Sequence, residues 1–406
     1  MMRRAGATVF IAFLLCGPFA AGAQEPATRA ELVDREREEK AAELTPPEPG
    51  GLERVLLALE NGRLFERILN PAEGFYPKVG TVTAGSGFSL GPGYRHVGLF
   101  GEQADFTAFA MASFRKYWVI DVSLQLPRLA DEKLFAEAHA RRWDYPDEDF
   151  FGLGPDSSRD RFANYGFRNT AIGASSGVRP RQWLSLGVGV DHLTPRIRGT
   201  EDDRSLHRIY DIETIPGFSL QPDFLQTRVF ADANFREPRG NPRRGGQYRL
   251  SIEQFNDIDR GLYSFNRIEA DLQQYIPFLR DRRVIALHGL VSLSDKDDGE
   301  IPFYLLRTLG GPDDLRGFRR YRFRDRNLML LQAEYRWEVF TAMDAAVFYD
   351  AGKVASEPGD LGFDDLESDY GIGVRFGTAN GVFLRIEGAF GSSDGKHLVL
   401  RWGHVF

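Results

Sequence analysis

The chain has 406 residues, of which 42% are hydrophobic and 27% are charged, and its formal net charge is −7. An acidic chain without a basic domain argues against nucleic acid as a partner. A helical membrane protein is excluded, because no run of about 20 apolar residues follows residue 23. The single cysteine, Cys16, lies in the leader described next, so we expect neither disulfides nor thiolate metal sites.

Residues 1–23 have the pattern of a secretory signal peptide. A charged head, an apolar segment and a small-residue cleavage site follow one another at Arg3-Arg4, Ala7–Leu15 and Ala21–Ala23. A lipoprotein anchored through Cys16 is the alternative, but Leu15 stands where a small residue is needed. We therefore expect the mature chain to leave the cytoplasm.

Residues 24–76 are predicted to form a charged linker and a short amphipathic helix. Apolar residues recur there at helical spacing, at Leu52, Val55, Leu56 and Leu59, before the helix-ending pair Asn61-Gly62. This helix either packs on the larger domain or enters or caps a pore.

From Val79 to the last residue the hydrophobic period is two. In Trp118–Leu126 the apolar residues alternate with Asp121, Ser123 and Gln125, and Leu328–Val339 has the same pattern. Strands with one apolar face and one polar face belong to a sheet with one wet side.

Sixteen such segments can be placed, the first near 79–90 and the last near 397–406, and most have about 10–15 residues, the length needed to cross a membrane. Short connections alternate with long ones, as in outer-membrane barrels. We predict an all-β fold: residues 77–406 form a 16-stranded antiparallel transmembrane β-barrel, preceded by the short helical segment. The expected location is the bacterial outer membrane, among its lipids and lipopolysaccharide.

One connection differs from the rest and is named here the arginine-rich loop (Leu305–Arg326). It holds seven arginines, tight-turn glycines and several apolar residues that could anchor it. A loop this long in a compact domain is usually functional or disordered, and the apolar residues argue against disorder. An external loop that binds lipopolysaccharide phosphates is the alternative interpretation.

The chain ends in a strand whose apolar residues are predicted to share one face: Leu398, Leu400, Trp402 and Phe406. Outer-membrane barrels commonly end in this way, so these residues are a candidate insertion signal for the barrel assembly machinery. An ordinary edge strand is the alternative.

No catalytic, cofactor or metal motif stands out. The stretch Gly173–Gly177 matches the G-x-S-x-G pattern of hydrolases, but that motif requires a strand-to-helix turn and this stretch is predicted to be a strand. We therefore predict no enzyme activity, no cofactor and no metal site.

Three motifs together resemble the BamA/TamA family of bacterial surface antigens. They are Leu315–Phe318 in the arginine-rich loop, Gln332–Arg336 and Phe348–Gly352. The segment Phe150–Pro155 is also similar to a recurring family feature. The resemblance implies that the loop tip Arg316-Gly317-Phe318 folds into the barrel.

By the same resemblance, Arg316 meets acidic residues of the next two strands, here Glu334 and Asp350. Residue parity agrees, since both carboxylates lie opposite the apolar faces of their strands. Guanidinium groups bind carboxylates through two parallel hydrogen bonds, which suits such a contact.

The family resemblance implies insertion, assembly or translocation of another molecule, with a protein as a possible substrate and the chain as a monomer. The family mechanism uses a weak seam between the first and last strands, and the glycines of Val79–Leu90 are compatible with one. Residues 24–75 are too short for the POTRA modules of family members, which puts the usual route of substrate capture in question. A passive or selective pore, or a structural surface protein, is the alternative.

Overall fold

A computed structural model of the chain describes residues 73–279, 281–296, 301–340, 342–378, 381–402 and 406, without the side chains of Thr378 and Phe383. The predicted signal peptide, linker and amphipathic helix lie outside the described residues. The strands are β1 (Gly74–Gly80), β2 (Ser89–Gly98), β3 (Ala104–Ser113), β4 (Trp118–Leu129), β5 (Leu134–Phe150), β6 (Ala163–Arg181), β7 (Leu184–Leu193), β8 (Arg196–Gly199), β9 (Phe224–Asn234), β10 (Gly245–Asp257), β11 (Phe265–Phe278), β12 (Arg283–Ser294), β13 (Arg307–Leu309), β14 (Phe323–Asp325), β15 (Asn327–Phe340), β16 (Met343–Ala355), β17 (Glu367–Thr378), β18 (Gly381–Ser392) and β19 (Gly395–Arg401).

The helical part of the described chain is small. It comprises α1 (Leu99–Glu102), α2 (Leu206–Ile209) and three single 3-10 turns at Ile212–Thr214, Phe303–Leu305 and Pro358–Asp360. No helix of the described residues is long and apolar enough to cross a membrane.

Sixteen strands form the wall of one antiparallel barrel. Each pairs with its neighbour in chain order from β1 to β19, with β8 continuing the line of β7 along β6, and with β13 and β14 forming a separate small hairpin. The prediction of an all-β, 16-stranded antiparallel barrel is confirmed.

Alternating side chains on the wall strands face either outward or into the lumen. On β11, Ile268, Leu272 and Ile276 are exposed on the outside, whereas Arg267 and Tyr275 are buried inside. An apolar exterior around a polar interior is the arrangement that a lipid bilayer requires of a barrel.

The connections differ in length at the two ends of the barrel. One end has short turns, such as residues 130–133 between β4 and β5 and 182–183 between β6 and β7. The other end has the longer loops, including 151–162, 200–223 and the arginine-rich loop. In bacterial outer-membrane barrels the short turns face the periplasm, so the long loops mark the extracellular end.

The first strand does not lie where the sequence pattern placed it. The stretch Val79–Leu90 holds the end of β1, a loop and the start of β2. Gly85 and Gly87 have φ of +78° and +74°, a conformation that ends a strand. The hydroxyl of Ser86 accepts hydrogen bonds from the N–H groups of Val82 and Thr83, which stabilises the loop. These glycines are loop residues and do not weaken a strand interior.

The seam between β1 and β19 differs from the other junctions of the wall. Both strands have seven residues. Among the described residues, which omit 403–405, no hydrogen-bonded ladder joins β19 to β1. The rings of Phe88, just before β2, and Trp402, just after β19, have centroids 6.2 Å apart in this region. The barrel is therefore nearly closed, with one junction less regular than the rest.

Candidate functional site

The arginine-rich loop folds into the barrel from a small hairpin. β13 pairs with β14 from Arg307 opposite Asp325 to Leu309 opposite Phe323. Gly310 and Gly311 turn the chain with φ of +107° and +114°, which favours glycine. An apolar core then holds the loop against the wall, and it consists of Leu309, Leu315, Phe318, Phe323, Leu328, Leu330 and Val354.

Arg316 lies at the tip of this loop and is 1% exposed. Its Nε and one terminal nitrogen donate to the two carboxylate oxygens of Asp350 at 2.6 and 2.7 Å, a bidentate contact. The other terminal nitrogen donates to Glu334 Oε1 at 2.7 Å. The guanidinium carbon also lies 3.4 Å from the ring centroid of Phe348. The structure thus brings together Arg316, Glu334 and Asp350, the three residues that the resemblance had linked.

Gly317 allows the loop to approach the wall closely. A Cβ at this position would lie 2.5 Å from Asp369 Cβ and 3.2 Å from Ser392 Cβ, closer than atoms of these types pack. Its carbonyl accepts a short hydrogen bond from the Ser392 hydroxyl. Phe318 follows and packs edge-on against Phe323, with ring centroids 5.4 Å apart. Every residue of the loop tip therefore has a separate packing role.

The contact of Arg316 is part of a larger buried network, named here the lumen cluster. Its members alternate in charge and lie on the inner faces of β15 to β18 or at the loop tip: Arg316, Glu334, Arg336, Asp350, Arg375, Arg385 and Glu387. Each carboxylate of the cluster has at least one guanidinium partner. Because each charge is buried, removal of one partner would leave an uncompensated ion.

Sequence reasoning did not find the second half of the lumen cluster. Arg375 binds Glu334 and Glu387, the latter at 2.9 Å, and Arg385 binds Glu387 at 3.1 Å. The available signal was the parity of Arg385 and Glu387, which alternate with the apolar residues of their strand. That parity predicts that both side chains point into the lumen, but it does not predict which loop residue they contact.

The loop also contacts the last strand of the barrel. Asp313 accepts from Arg385 of β18 at 3.1 Å and from Arg401 of β19 at 2.6 Å. Since Arg316 binds β15 and β16, the loop makes charged contacts with β15, β16, β18 and β19. β17 is joined to its neighbours through Arg375, which binds Glu334 and Glu387.

Two further loop arginines, Arg320 and Arg324, contact the extracellular end of β5 and the neighbouring loops. Arg320 donates to both carboxylate oxygens of Asp149, at 2.8 and 2.9 Å. Arg324 donates to the carbonyl of Phe303 at 2.7 Å, and its own carbonyl accepts from the Gly154 N–H at 2.8 Å. The segment Phe150–Pro155 therefore packs against the arginine-rich loop.

Burial and charge shift two acid–base equilibria in the loop. Burial alone would lower the pKa of Arg316, but the Asp350 and Glu334 carboxylates outweigh it and raise the pKa. Burial and then the charge of Asp313 raise the pKa of Asp314 from 3.8 to about 7. Arg316 is thus a permanent cation, whereas Asp314 changes charge near neutral pH.

The C-terminal residues do not share one face. Leu398 and Leu400 are 80% and 63% exposed on the outer surface. Phe406, by contrast, is buried inside with Tyr275, Val284 and Ala286. The predicted common face is wrong at this residue, because Phe406 lies outside β19 and alternation predicts a face only within a strand. The Tyr275 hydroxyl donates to the Phe406 carbonyl at 3.0 Å, which fixes the last residue in the lumen.

The other motifs of the sequence have ordinary positions. Gly173–Gly177 lies within β6, without the strand-to-helix turn of a hydrolase nucleophile. Among the described residues, no three His, Cys, Asp or Glu side chains are arranged to hold a metal ion.

A 16-stranded barrel with an arginine-tipped loop fixed inside its lumen defines a class of outer-membrane barrels in which the pore is occupied from within. A family model, the Omp85 superfamily domain, matches residues 100–393. The chain belongs to the Omp85 superfamily. This membership and the barrel fold indicate the outer membrane.

Solved structures with the same fold include two named proteins. BamA from Haemophilus ducreyi, in a form lacking POTRA domains 1–3, aligns with a TM-score of 0.62 and 16% identity over 82% of this chain and 70% of that chain. CdiB from Escherichia coli aligns with a TM-score of 0.54 and 13% identity over 81% of this chain and 61% of that chain. The chain is similar to both in fold. No curated protein sequence matches it.

Proposed function

We propose that this protein inserts, assembles or translocates other envelope components, with extended or β-rich protein chains as the substrate class. The observation that carries the proposal is the seam. Every other junction of the wall has a hydrogen-bonded ladder, whereas no ladder joins β19 to β1 among the described residues, which omit 403–405. Membership of the Omp85 superfamily and the similarity in fold to BamA and CdiB support the same proposed function.

The seam offers a physical route for a substrate chain. Unpaired N–H and C=O groups at a strand edge are costly in lipid, so a free edge favours pairing with another strand. β1 is short, and Pro77 in its middle has no N–H to donate to either neighbour. An extended segment of a substrate can pair with such an edge by strand addition.

The arginine-rich loop would act as a latch in this mechanism. Through Arg316, Asp313 and the lumen cluster it holds the five strands β15 to β19, which form one side of the seam. Opening would then move β1 against this rigid group of five strands, and the lumen cluster would keep the group intact. The role of Arg316 is therefore to position the wall.

The partners follow from the same proposal. The barrel itself would be inserted by the barrel assembly machinery, with Leu398, Leu400, Trp402 and Phe406 as the recognised C-terminal residues. Phe406 lies in the lumen of the folded protein, so its recognition would precede folding. The protein then works as a monomer in the lipid of the outer membrane.

Depletion of the protein, followed by quantitative proteomics and lipid analysis of the outer membrane, tests this function. We expect a defined subset of outer-membrane or exported proteins to decline, and wild-type protein from a plasmid to restore them. Unchanged protein and lipid profiles after full depletion would contradict the proposal.

A further inference from the structure

The outer wall of β5 to β9 has a clear apolar belt. On β5 the outward residues from Leu134 to Ala140 are apolar, and on the neighbouring strands Ile172, Val188 and Val229 are 57%, 54% and 58% exposed. At about 3.3 Å per residue, the stretch from Leu134 to Ala140 covers about 20 Å along the strand. It therefore forms part of the apolar outer band that faces lipid in such barrels.

Arginines follow this belt directly on its extracellular side. They form the outer arginine patch: Arg142 on β5, Arg168 on β6, and Arg196 and Arg198 on β8. All four are exposed, and all have the outward parity of their strands. Arg168 pairs with Asp144 of β5 on one side and with Arg196 of β8 on the other, so the patch is continuous across three adjacent strands.

The carboxylates nearby do not balance these charges. Asp144 accepts from Arg168 at 2.6 Å and from Arg198 at 2.6 Å. Asp223 accepts from Arg196 at 2.8 Å. Within the part of the chain that the structure describes, Arg142 has no carboxylate at ion-pair distance. The four guanidinium groups therefore exceed their two carboxylate partners, and each keeps free N–H donors.

The patch is confined to one sector of the barrel. At comparable outward positions on β10 and β11 the side chains are neutral, namely Gln254, Asn256 and Asn266. General anchoring at the membrane surface would not need four arginines on three neighbouring strands. Two of them also share Asp144, which fixes their guanidinium groups in place. Guanidinium groups that are held in this way lose little conformational freedom when they bind an anion.

We propose that the outer arginine patch binds the phosphate groups of the lipid A part of lipopolysaccharide in the outer leaflet. Arg142 comes two residues after Ala140, the last residue of the apolar belt on β5, about 7 Å along the strand. The polar headgroup layer begins within this distance of the hydrocarbon core. Guanidinium binds phosphate through paired, charge-assisted hydrogen bonds, and a two-phosphate headgroup matches a patch that spans three strands.

Binding of lipid A to the purified, folded full-length protein tests this site. Native mass spectrometry in detergent would compare diphosphoryl lipid A, dephosphorylated lipid A and phosphatidylglycerol. Among the described residues Arg142 has no carboxylate partner, so its replacement leaves none of them unpaired. Arg142→Gln should weaken diphosphoryl lipid A binding about tenfold, and Arg142→Gln with Arg168→Gln should weaken it further. Inorganic phosphate should not displace the lipid.

A matched control is Arg283→Gln, which removes an outward arginine at the periplasmic edge of the barrel wall and should leave binding unchanged. All variants should run as folded barrels on unheated gels. Equal binding by wild type and Arg142 variants would overturn the proposal. So would equal affinity for dephosphorylated lipid A or phosphatidylglycerol, since either result would assign the patch to general lipid contact.

Discussion

Arg316 is a loop residue that is buried as deeply as the wall residues it binds. Its guanidinium group uses donors on three nitrogens, two toward Asp350 and one toward Glu334. A lysine could keep the charge but not this fork geometry. The position therefore requires arginine for its shape as well as for its charge.

Replacement of Arg316 by alanine should destabilise the barrel. Breaking a buried charge cluster by removing one partner typically costs about 3–5 kcal/mol, because the other charges stay buried. We expect the Arg316→Ala protein to unfold at a lower temperature when heat-modifiability is followed on gels. The control is Arg319→Ala, which replaces an exposed arginine of the same loop. An unchanged unfolding temperature for Arg316→Ala would contradict this account of the cluster.

Asp314 predicts a pH dependence of stability. Its pKa is raised from 3.8 to about 7, so the folded chain holds this proton to higher pH than the unfolded chain does. The contribution of Asp314 is therefore full below about pH 4 and is lost as the pH rises to about 7.

Asp314→Asn should mimic the protonated state. We expect it to raise the unfolding free energy at pH 8 by about 1 kcal/mol or more, and to change it little at pH 4. Denaturant unfolding of wild type and variant at both pH values measures this. A similar difference at pH 4 and pH 8 would show that the effect does not come from ionisation.

Sequence could predict the central contact but not the whole cluster. Arg316, Glu334 and Asp350 follow from motif resemblance and strand parity. Arg336, Arg375, Arg385 and Glu387 are also inward by parity, yet their partners depend on how deeply the loop enters. That depth is set by packing of the loop's apolar core against β15 and β16, which no local pattern encodes.

At the scale of elements, strand alternation located most of the wall. The first strand was misplaced because Val79–Leu90 alternates in part while its glycines adopt left-handed backbone angles. Phe406 was misplaced because alternation predicts a face only within a strand, and Phe406 lies outside β19. Both errors lie beside the seam, where the barrel ladder is least regular. Alternation of apolar and polar residues predicts strand position least well where a strand pairs with a neighbour on one side only.

The fit of the arginine-rich loop against β17 can be tested at Gly317. An added Cβ would approach Asp369 Cβ to 2.5 Å, so Gly317→Ala must displace the loop tip. Overpacking of this kind typically costs about 1–3 kcal/mol. We expect a lower unfolding temperature and faster proteolysis within the loop.

The matched control for this substitution is Gly359→Ala, in a loop turn where an added Cβ meets nothing within 4 Å. It should behave as wild type. If Gly317→Ala also behaves as wild type, the loop tip is not held as closely as its contacts indicate.

At the scale of the whole molecule, the folded-back loop occupies the lumen that a pore would need. The purified protein in planar bilayers should therefore give small, irregular openings. Replacing residues 311–321 by a short linker should give larger and steadier currents. Large, steady conductance from the intact protein would instead support the passive-pore alternative.

We expect the seam between β1 and β19 to open during function. Phe88→Cys with Trp402→Cys would place a reducible bifunctional cross-link where the two rings now lie 6.2 Å apart. The predicted mature chain has no other cysteine. Val122→Cys with Ala140→Cys, on the paired strands β4 and β5, gives a control cross-link that changes no junction.

The most direct measurement is the outer-membrane proteome of depleted cells that produce each cross-linked variant, before and after reduction. If the seam opens during function, the dependent proteins should be lost with the seam cross-link, recover on reduction, and be retained with the control cross-link. A fully cross-linked seam that supports the normal proteome would contradict it.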